Sequence, residues 1–216
     1  MAAKITTDGL YRVSYAEAPG LTREEYIKRQ PMRYEEILPG NPKPGDYKFV
    51  SMNPYQLQHR LAPSFHKGKV ILCADSAHVV NPFGGLGLTG GIADVGSLYD
   101  ALLGIHKGLA DDSIIEKYSE VRMKIYKEII DPMARENFKR ISSQDPETAG
   151  DNDEWFKLCK KAANDLELEK QLCHGLDVLT HDFTQYWNKE KDVDQANGGK
   201  TEIHVSSRPV EGGIVA

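Results

Sequence analysis

Residues 69–103 read KVILCADSAHVVNPFGGLGLTGGIADVGSLYDALL, and this stretch decides the expected fold. It begins with the short apolar run 70–74, which is typical of a buried parallel strand, and Asp75 follows where that strand should end. A glycine-rich loop and then an amphipathic helix come next. Because ligands of open α/β sheets bind at the carboxyl ends of strands, we expect a ligand site at this loop.

The glycines let the backbone approach a ligand closely and present free amides at the start of a helix. The helix places five apolar side chains on one face: Ile92, Val95, Leu98, Tyr99 and Leu102. Residues 85–90 spell GxGxxG, but they are not the dinucleotide fingerprint, since Asp75, His78 and Pro82 intervene between the strand and the glycines. No Gly-Lys-Ser or Gly-Lys-Thr follows, which excludes the phosphate loop of nucleotide hydrolases.

Composition excludes several classes of function. The chain has 216 residues and a formal net charge of −5, with both signs interspersed, so we expect no nucleic-acid partner. No apolar run approaches the roughly 20 residues of a membrane helix, and the amino terminus lacks a signal-peptide pattern, so we expect a cytoplasmic protein without a membrane span. Cys73, Cys159 and Cys173 stand at no metal-ligand spacing, which predicts neither a metal site nor a disulfide.

The pattern along the chain predicts an α/β fold of mixed α+β character in four segments. Residues 1–62 contain an alternating strand at 10–15, a helix that a capping box of Thr22 and Glu25 opens and Pro31 ends, and a second strand at 47–52. Residues 63–145 hold the strand, the loop and helices. Residues 146–188 form a helical appendix of two helices, and the polar residues 189–216 are expected to be a mobile tail.

The order of strand, Asp-Ser-Ala-His, Asn-Pro, glycines and helix resembles the second flavin-contacting motif of the group A FAD-dependent aromatic hydroxylases, the para-hydroxybenzoate and phenol hydroxylase group. The resemblance extends upstream through HRLAPSFHKGKVIL at 59–72, downstream through the helix that carries YSEVR, and weakly to the strand at 10–15. It covers roughly two thirds of the chain.

The resemblance implies a partial FAD-binding hydroxylase fold. Residues 1–62 would be a fragment of the substrate-domain sheet, followed by the strand–glycine loop–helix flavin motif and the helical appendix. Complete members begin with a GxGxxG half that binds ADP, which has no counterpart here, so we expect FAD to bind weakly or not at all to the isolated chain. A second chain could supply that half, or the chain could form a homo-oligomer. Ala74 replaces the usual glycine and Thr89 the usual asparagine, and the Cβ of Ala74 is expected to crowd the flavin.

The resemblance also assigns roles around the flavin. Asp75 would accept hydrogen bonds from the ribityl chain, Pro82 would lie near the ring, and backbone amides at the helix start would stabilise negative charge on the reduced ring. The cofactor-binding candidates are Asp75, Pro82, Gly84, Gly85, Leu86, Gly87 and Leu88.

Other candidates leave alternatives open. His78 and Arg60 are catalytic candidates, although His78 could be a structural polar group and Arg60 could form a surface ion pair. Four side chains could line a substrate cavity or simply pack in a core: Tyr11, Tyr15, Met52 and Tyr55.

The function that the resemblance implies is a flavin-dependent monooxygenase with FAD as cofactor and NAD(P)H as reductant, acting on an aromatic or polyketide-like metabolite. The alternative is a flavin-free descendant that serves as an isomerase, a cyclase or a binding protein for a hydrophobic metabolite. Its acid and base would come from Asp75, His78, Arg60 or the tyrosines. A regulatory pseudoenzyme that pairs with a full-length partner is a third possibility.

Overall fold

The computed structural model describes residues 1–145 and 147–188, so the predicted mobile tail at 189–216 lies outside the described residues. The chain divides into two compact units, Met1–Leu57 and Gln58–Ala216. The four segments that the sequence predicts, with boundaries at 62, 145 and 188, stay a prediction.

The first unit pairs two short strands and adds one helix. Strands β1 (Ala2–Lys4) and β2 (Tyr11–Val13) are antiparallel, so the strand predicted at 10–15 is present in its central part. Helix α1 (Arg23–Ile37) begins at the predicted capping box, in which the Thr22 hydroxyl accepts from the Glu25 amide at 3.2 Å and the Thr22 amide donates to the Glu25 carboxylate at 2.7 Å.

Two predictions for this unit are wrong. Helix α1 continues through Pro31, although a proline inside a helix removes one backbone hydrogen bond. Tyr34 anchors the next turn, since its ring lies 6.0 Å from the ring of Tyr15 and 5.2 Å from the ring of Tyr47. Residues 47–52 form no strand; Tyr47 makes only an isolated bridge to Pro44. No neighbouring strand among the described residues of this unit offers them a ladder of backbone hydrogen bonds.

The strands of the second unit are two residues long and pair antiparallel. Strands β4 (His66–Lys67) and β5 (Val70–Ile71) form a hairpin, while β3 (Arg60–Leu61) pairs with β6 (His78–Val79). The predicted buried parallel strand at 70–74 is therefore wrong, and Val70 is 67% exposed. The local turn explains this, since Gly68 adopts φ +58° and brings the neighbouring residues together across a very short loop.

The other regular elements in the described part of the second unit are mostly helical. They are α2 (Leu86–His106), α3 (Ser113–Ile125), α4 (Asp131–Ser142), α5 (Ala149–Asn152), α6 (Glu154–Ala162) and α7 (Leu166–Cys173). A π-helical turn, Tyr126–Ile130, joins α3 to α4, and two 3₁₀ turns, His174–Leu179 and Phe183–Tyr186, follow α7. None of the helices in the described part of the chain is both long and apolar enough to cross a membrane.

The core of this unit consists of two clusters that α2 and α3 share. One contains Phe65, Tyr118 and Phe183, and the other contains Leu86, Ile130 and Leu179. Leu179 and Phe183 are almost fully buried. The segment after α7 therefore completes the core, and its removal would expose both clusters.

Candidate functional site

The motif that resembles a flavin-contacting sequence begins with a tight turn. Residues Ala74–Ser76 form one 3₁₀ turn, in which the Ser76 hydroxyl accepts from the Cys73 amide at 3.0 Å and the Ala77 amide donates to the Ala74 carbonyl at 2.8 Å. Asp75 is exposed at this turn. Ala74 adopts φ +54°, a left-handed conformation that costs a residue with a Cβ about 1 kcal/mol. A glycine, the usual residue of the resembling family, would adopt it freely.

The Cβ of Ala74 is directed at α2. A Cβ built on Gly91 would lie 2.9 Å from it, so the helix approaches the turn closely because residue 91 is a glycine. The effect of this Cβ on a bound flavin stays a prediction. The turn and the first half of α2 pack as one body.

A buried ionic network joins the turn to four other elements: α2, β6, α3 and the 3₁₀ turn that ends at Leu179. Asp94 on α2 is fully buried; one of its carboxylate oxygens lies 2.7 Å from Nε2 of His78 and accepts from the Ala74 amide at 3.2 Å. Its other oxygen accepts from Nε of Arg122 at 2.5 Å. Arg122, 1% exposed, also donates to the carbonyls of Leu179 and Gly90, at 2.6 and 3.3 Å. A buried charge needs such compensation on every side.

This network gives His78 a definite place. His78 is 3% exposed, its Nε2 is held by Asp94, and its Nδ1 is buried without a hydrogen-bond partner among the described residues. Its ring lies 5.1 Å from that of Tyr126 and 6.0 Å from that of Phe65. Whether His78 is a catalytic or a structural group stays a prediction.

The loop between the turn and α2 is fixed by Asn81, which is 2% exposed. Its side-chain amide donates to the Ala134 carbonyl at 2.8 Å, and its side-chain oxygen accepts from the Phe83 amide at 2.9 Å. Pro82 is exposed at the tip of this loop. The structure thus explains the Asn-Pro pair, since the asparagine anchors the loop and the proline faces outward.

Two glycines with positive φ bring the chain from this loop into α2. They are Gly84 (φ +97°) and Gly85 (φ +67°), and Gly85 caps the helix without a side chain. The amides of Leu86, Gly87 and Leu88 are in the first turn of α2, where an α-helix supplies no partner. A bare helix start of this kind stabilises a negative charge that lies close to its amides.

A second polar cluster flanks the Asn-Pro loop. His59 Nδ1 lies 2.5 Å from the Asp131 carboxylate, which also accepts from Nε of Arg135 at 2.9 Å, and Nε2 of His59 lies 3.1 Å from the Asn81 amide. Burial raises the pKa of the Asp131 carboxyl, but the hydrogen bonds from Arg135 and His59 outweigh it, so that pKa lies below its ordinary value. Burial raises the pKa of the nearby Tyr126 to about 12.

The remaining candidates from the sequence are Arg60 and four side chains of the first unit. Arg60 is exposed on β3, where it is paired with Val79, and it forms no ion pair within the described residues. The four substrate candidates belong to the first unit, and Tyr11 and Tyr55 are exposed there, while Tyr15 and Met52 are half-buried. Burial raises the pKa of Tyr15. The roles of all these side chains toward a ligand stay predictions.

Two surface cavities lie elsewhere in the second unit. One, of about 630 Å³, is lined by residues of the α2–α3 connection, of α3 and of the segment 186–188. The other, of about 410 Å³, lies between the end of α4 and the start of α6. Neither of these two cavities is lined by a cofactor-binding candidate.

Among the residues that the structure describes, no three His, Cys, Asp or Glu side chains are grouped so that they could hold a metal ion. The three cysteines are free thiols. Cys73 is half-buried beside the turn, and burial raises the pKa of its thiol. Sequence reasoning missed Asn81, Asp94 and Arg122; the only signals for them were the Asn-Pro pair and the arginine of YSEVR.

Comparison with known proteins agrees with this geometry. The family described as "FAD binding domain" matches residues 21–132. The chain is 35% identical to a para-nitrophenol 4-monooxygenase of a Pseudomonas species, covering 83% of this chain and 44% of that protein. It is also 35% identical to a 6-hydroxy-3-succinoylpyridine 3-monooxygenase of Pseudomonas putida, covering 76% of this chain and 40% of the relative.

A solved structure shows the same arrangement of the backbone. The crystal structure of a p-nitrophenol 4-monooxygenase from Pseudomonas putida superposes with a TM-score of 0.68 at 34% identity, covering 82% of this chain and 44% of that one. The chain therefore spans less than half the length of the relatives that it matches. The partial FAD-binding hydroxylase fold that the sequence predicts is confirmed.

Proposed function

The chain belongs to the FAD binding domain family, and from this premise we propose that it forms the flavin-contacting part of a monooxygenase that acts on a small aromatic metabolite. The observation that carries the proposal is the hydrogen bond from the Ala74 amide to the Asp94 carboxylate. Through it, the turn that exposes Asp75 is fixed to α2, whose start presents unpartnered amides.

The residues present fit a flavin. The exposed carboxylate of Asp75 is suited to accept hydrogen bonds from the hydroxyls of a ribityl chain. The amides of Leu86, Gly87 and Leu88 are suited to stabilise negative charge on the pyrimidine end of the ring. FAD, when bound, would supply the activation of oxygen for insertion into the substrate ring, with NAD(P)H as the reductant. The protein would bind and orient the flavin ring and would place the amides of the α2 start near its negative charge.

The substrate class follows from the names of the relatives. One acts on para-nitrophenol and another on 6-hydroxy-3-succinoylpyridine, and both substrates are six-membered aromatic rings with polar substituents. We extend this class to the present chain. Arg60, exposed on the strand next to His78, is the cation available to an acidic substituent. Tyr11, Tyr15, Met52 and Tyr55 remain the candidates for apolar contacts to the ring.

Titration of the purified chain with FAD, followed by flavin fluorescence, tests this proposal. Asp75→Ala should weaken binding at least about tenfold, since a hydrogen bond to a charged group contributes ~1.5–3 kcal/mol. The exposed Asp112 does not use its side chain to cap α3, so Asp112→Ala is the matched control and should bind as the wild type does.

Two outcomes would contradict the assignment. If FAD does not bind to the wild-type chain at millimolar concentration, the flavin role fails and the flavin-free isomerase or binding protein becomes the better hypothesis. If Asp75→Ala lowers the melting temperature in step with its loss of binding, Asp75 is structural.

A further inference from the structure

The loop that carries Pro82 is fixed by the buried Asn81, and two backbone partners determine which way the Asn81 side-chain amide faces. Its oxygen accepts from the Phe83 amide at 2.9 Å, and its nitrogen donates to the Ala134 carbonyl at 2.8 Å. A backbone N–H only donates and a carbonyl only accepts, so a flipped side-chain amide would lose both bonds. The nitrogen of Asn81 therefore faces His59, whose Nε2 lies 3.1 Å away.

This orientation determines which nitrogen of His59 carries the proton. The amide nitrogen of Asn81 is a donor, so the contact is a hydrogen bond only when Nε2 of His59 accepts. The proton of the neutral ring is then on Nδ1, which lies 2.5 Å from the Asp131 carboxylate and donates to it. A protonated His59 would keep its bond to Asp131 but would direct a second N–H at the donor of Asn81. The bond to Asn81 therefore requires a neutral His59.

Asp131 lies at the end of the π-helical turn. Pro132 has no N–H and cannot continue the α-helical pattern, and the Asp131 amide bonds to the Tyr126 carbonyl five residues earlier. Such a turn inserts one residue and rotates the side chains that follow by about 100° relative to an uninterrupted α-helix. Turns of this kind are frequent at functional sites. Here the turn precedes the carboxylate that holds His59.

The ionisable groups on the helical side of His59 keep their charge between pH 5 and 8. Burial raises the pKa of Asp131, but the hydrogen bonds from Arg135 and His59 hold it below its ordinary value, so Asp131 is ionised. Arg135 remains a cation. Burial raises the pKa of Tyr126 to about 12, so its hydroxyl, which donates to the Val79 carbonyl, stays neutral. Histidine is the side chain whose charge changes in this pH range.

The strand side of His59 carries two more ionisable groups. Arg60 follows His59 in the chain and is exposed, and its charge is constant. His78 lies on β6, which pairs with β3, and its Nε2 is held by Asp94. Because His78 can also titrate, a test of His59 needs a variant that changes His59 and retains His78.

We propose that His59 is a positioning residue for the flavin: in its neutral form, with the proton on Nδ1, it holds Asn81 and thereby the loop that presents Pro82 and leads into Gly85. Protonation of His59 releases Asn81 and loosens this loop. The inference rests on the proposed function for the identity of the ligand, whereas the behaviour of the loop can be measured without FAD. The chain should accordingly bind FAD more weakly at pH 5 than at pH 8.

Two substitutions separate the roles of the two ring nitrogens. The side-chain amide of glutamine reaches the position of Nε2, so His59→Gln can still accept from Asn81. The side-chain amide of asparagine reaches the position of Nδ1, so His59→Asn can still donate to Asp131 but offers Asn81 no acceptor. His106→Gln, at an exposed histidine at the end of α2, is the matched control.

Hydrogen exchange of the full chain without FAD, from pH 5 to 8, is the first measurement. The reporters are the amides of Phe83 and Gly85, which bond to the Asn81 side chain and to the Pro82 carbonyl. Each rate is divided by that of His59→Gln at the same pH, which cancels the chemical effect of pH on exchange. The wild type should match His59→Gln at pH 8 and exchange about fivefold faster at pH 5, as expected for the loss of one hydrogen bond.

The variants and the cofactor complete the test. His59→Asn should exchange about fivefold faster than His59→Gln at both pH values, and His106→Gln should follow the wild type. FAD titration should show the same loss of affinity toward pH 5 in the wild type and no such loss in His59→Gln. Because the exchange experiment contains no flavin, a loop that responds as expected in a chain that binds no FAD contradicts the proposed function and leaves the role of His59 in the loop intact.

Three results would overturn the inference. The first is a ratio of wild-type to His59→Gln exchange that does not change with pH, and the second is equal protection in His59→Asn and His59→Gln. The third comes from the wild type alone, so it holds even if a variant fails to fold: carbon and nitrogen NMR of the His59 ring at pH 8 should show the proton on Nδ1. A proton on Nε2 would exclude the bond from Asn81.

Discussion

A surface helix usually buries apolar side chains and exposes polar ones, and the two sides of α2 show the reverse. The inward side is small and polar, with Gly90, Gly91, Asp94, Ser97 and Gly104 all buried. The other side, called here the outer face of α2, is exposed and mostly apolar and consists of Leu88, Ile92, Val95, Gly96, Tyr99 and Leu102. The inward side allows close approach: a Cβ at Gly90 would lie 2.7 Å from Ile130, and one at Gly104 would lie 2.4 Å from Trp187. The buried side of this helix thus serves proximity and charge pairing, whereas its apolar side is exposed in the described part of the chain.

The largest effect should come from the charge on the inward side. Asp94→Asn would leave Arg122 buried without a counter-charge and would weaken the hydrogen bond to His78, so we expect a loss of about 3–5 kcal/mol in the free energy of unfolding. Urea denaturation followed by circular dichroism measures this. Asp112→Asn, at an exposed position, should leave the stability unchanged. A loss below about 1 kcal/mol for Asp94→Asn would show that the network is not structural.

A pair of glycine substitutions compares the two sides directly. Gly104→Ala should destabilise by about 1–3 kcal/mol, because the new Cβ would overlap the indole ring of Trp187. Gly96→Ala, on the outer face, meets nothing within 4 Å and should stabilise by about 0.5–1 kcal/mol through the better helix propensity of alanine. Thermal unfolding of both variants suffices. The same sign for both would mean that the two sides of α2 do not differ in packing.

A polar substitution on the outer face should have little effect on the isolated chain. Ile92 is 64% exposed, so Ile92→Gln should change the free energy of unfolding by less than about 0.5 kcal/mol. The matched substitution on the inward side, Ala101→Gln, should destabilise strongly, since Ala101 is 0% exposed. If Ile92→Gln proves as harmful as Ala101→Gln, the outer face is packed against the chain itself.

The sequence predicted the elements whose signals are local. The capping box of Thr22 and Glu25 and helix α2 were both predictable, because each depends on residues within a few positions. The family resemblance came from the same contiguous motif. Periodicity also identified the apolar side of α2, but it could not show that this side points away from the core.

Contacts between distant residues could not be predicted in this way. Asp94 and Arg122 are charged residues on helices, and such residues usually face solvent, so nothing local indicated that they pair in the core. The strand at 70–74 was misassigned because an apolar run does not reveal its partner, and the Gly68 turn folded it back on β4. The pairing of His78 with Asp94 depends on the same unseen contact.

The smallest expected effect is on the rate at which the Cys73 thiol is alkylated. Burial raises the pKa of Cys73, so less of it is thiolate at pH 8 than for an ordinary thiol. Cys159 and Cys173 are exposed, and iodoacetamide should alkylate both before Cys73. The rate at Cys73 should rise steeply toward pH 10, as mass spectrometry of the three peptides would show. Alkylation of Cys73 first would mean that the turn is open to solvent.

Hydrogen exchange of the chain in the presence of millimolar FAD tests the central claim most directly, because it locates the bound cofactor without any substitution. We expect FAD to slow exchange at the turn Ala74–Ser76 and at residues 86–88, and to leave the α2–α3 connection at 108–113 unchanged. Protection confined to that connection, which lines the larger cavity, would locate the ligand elsewhere and would contradict the assignment of the turn and the helix start as the flavin site.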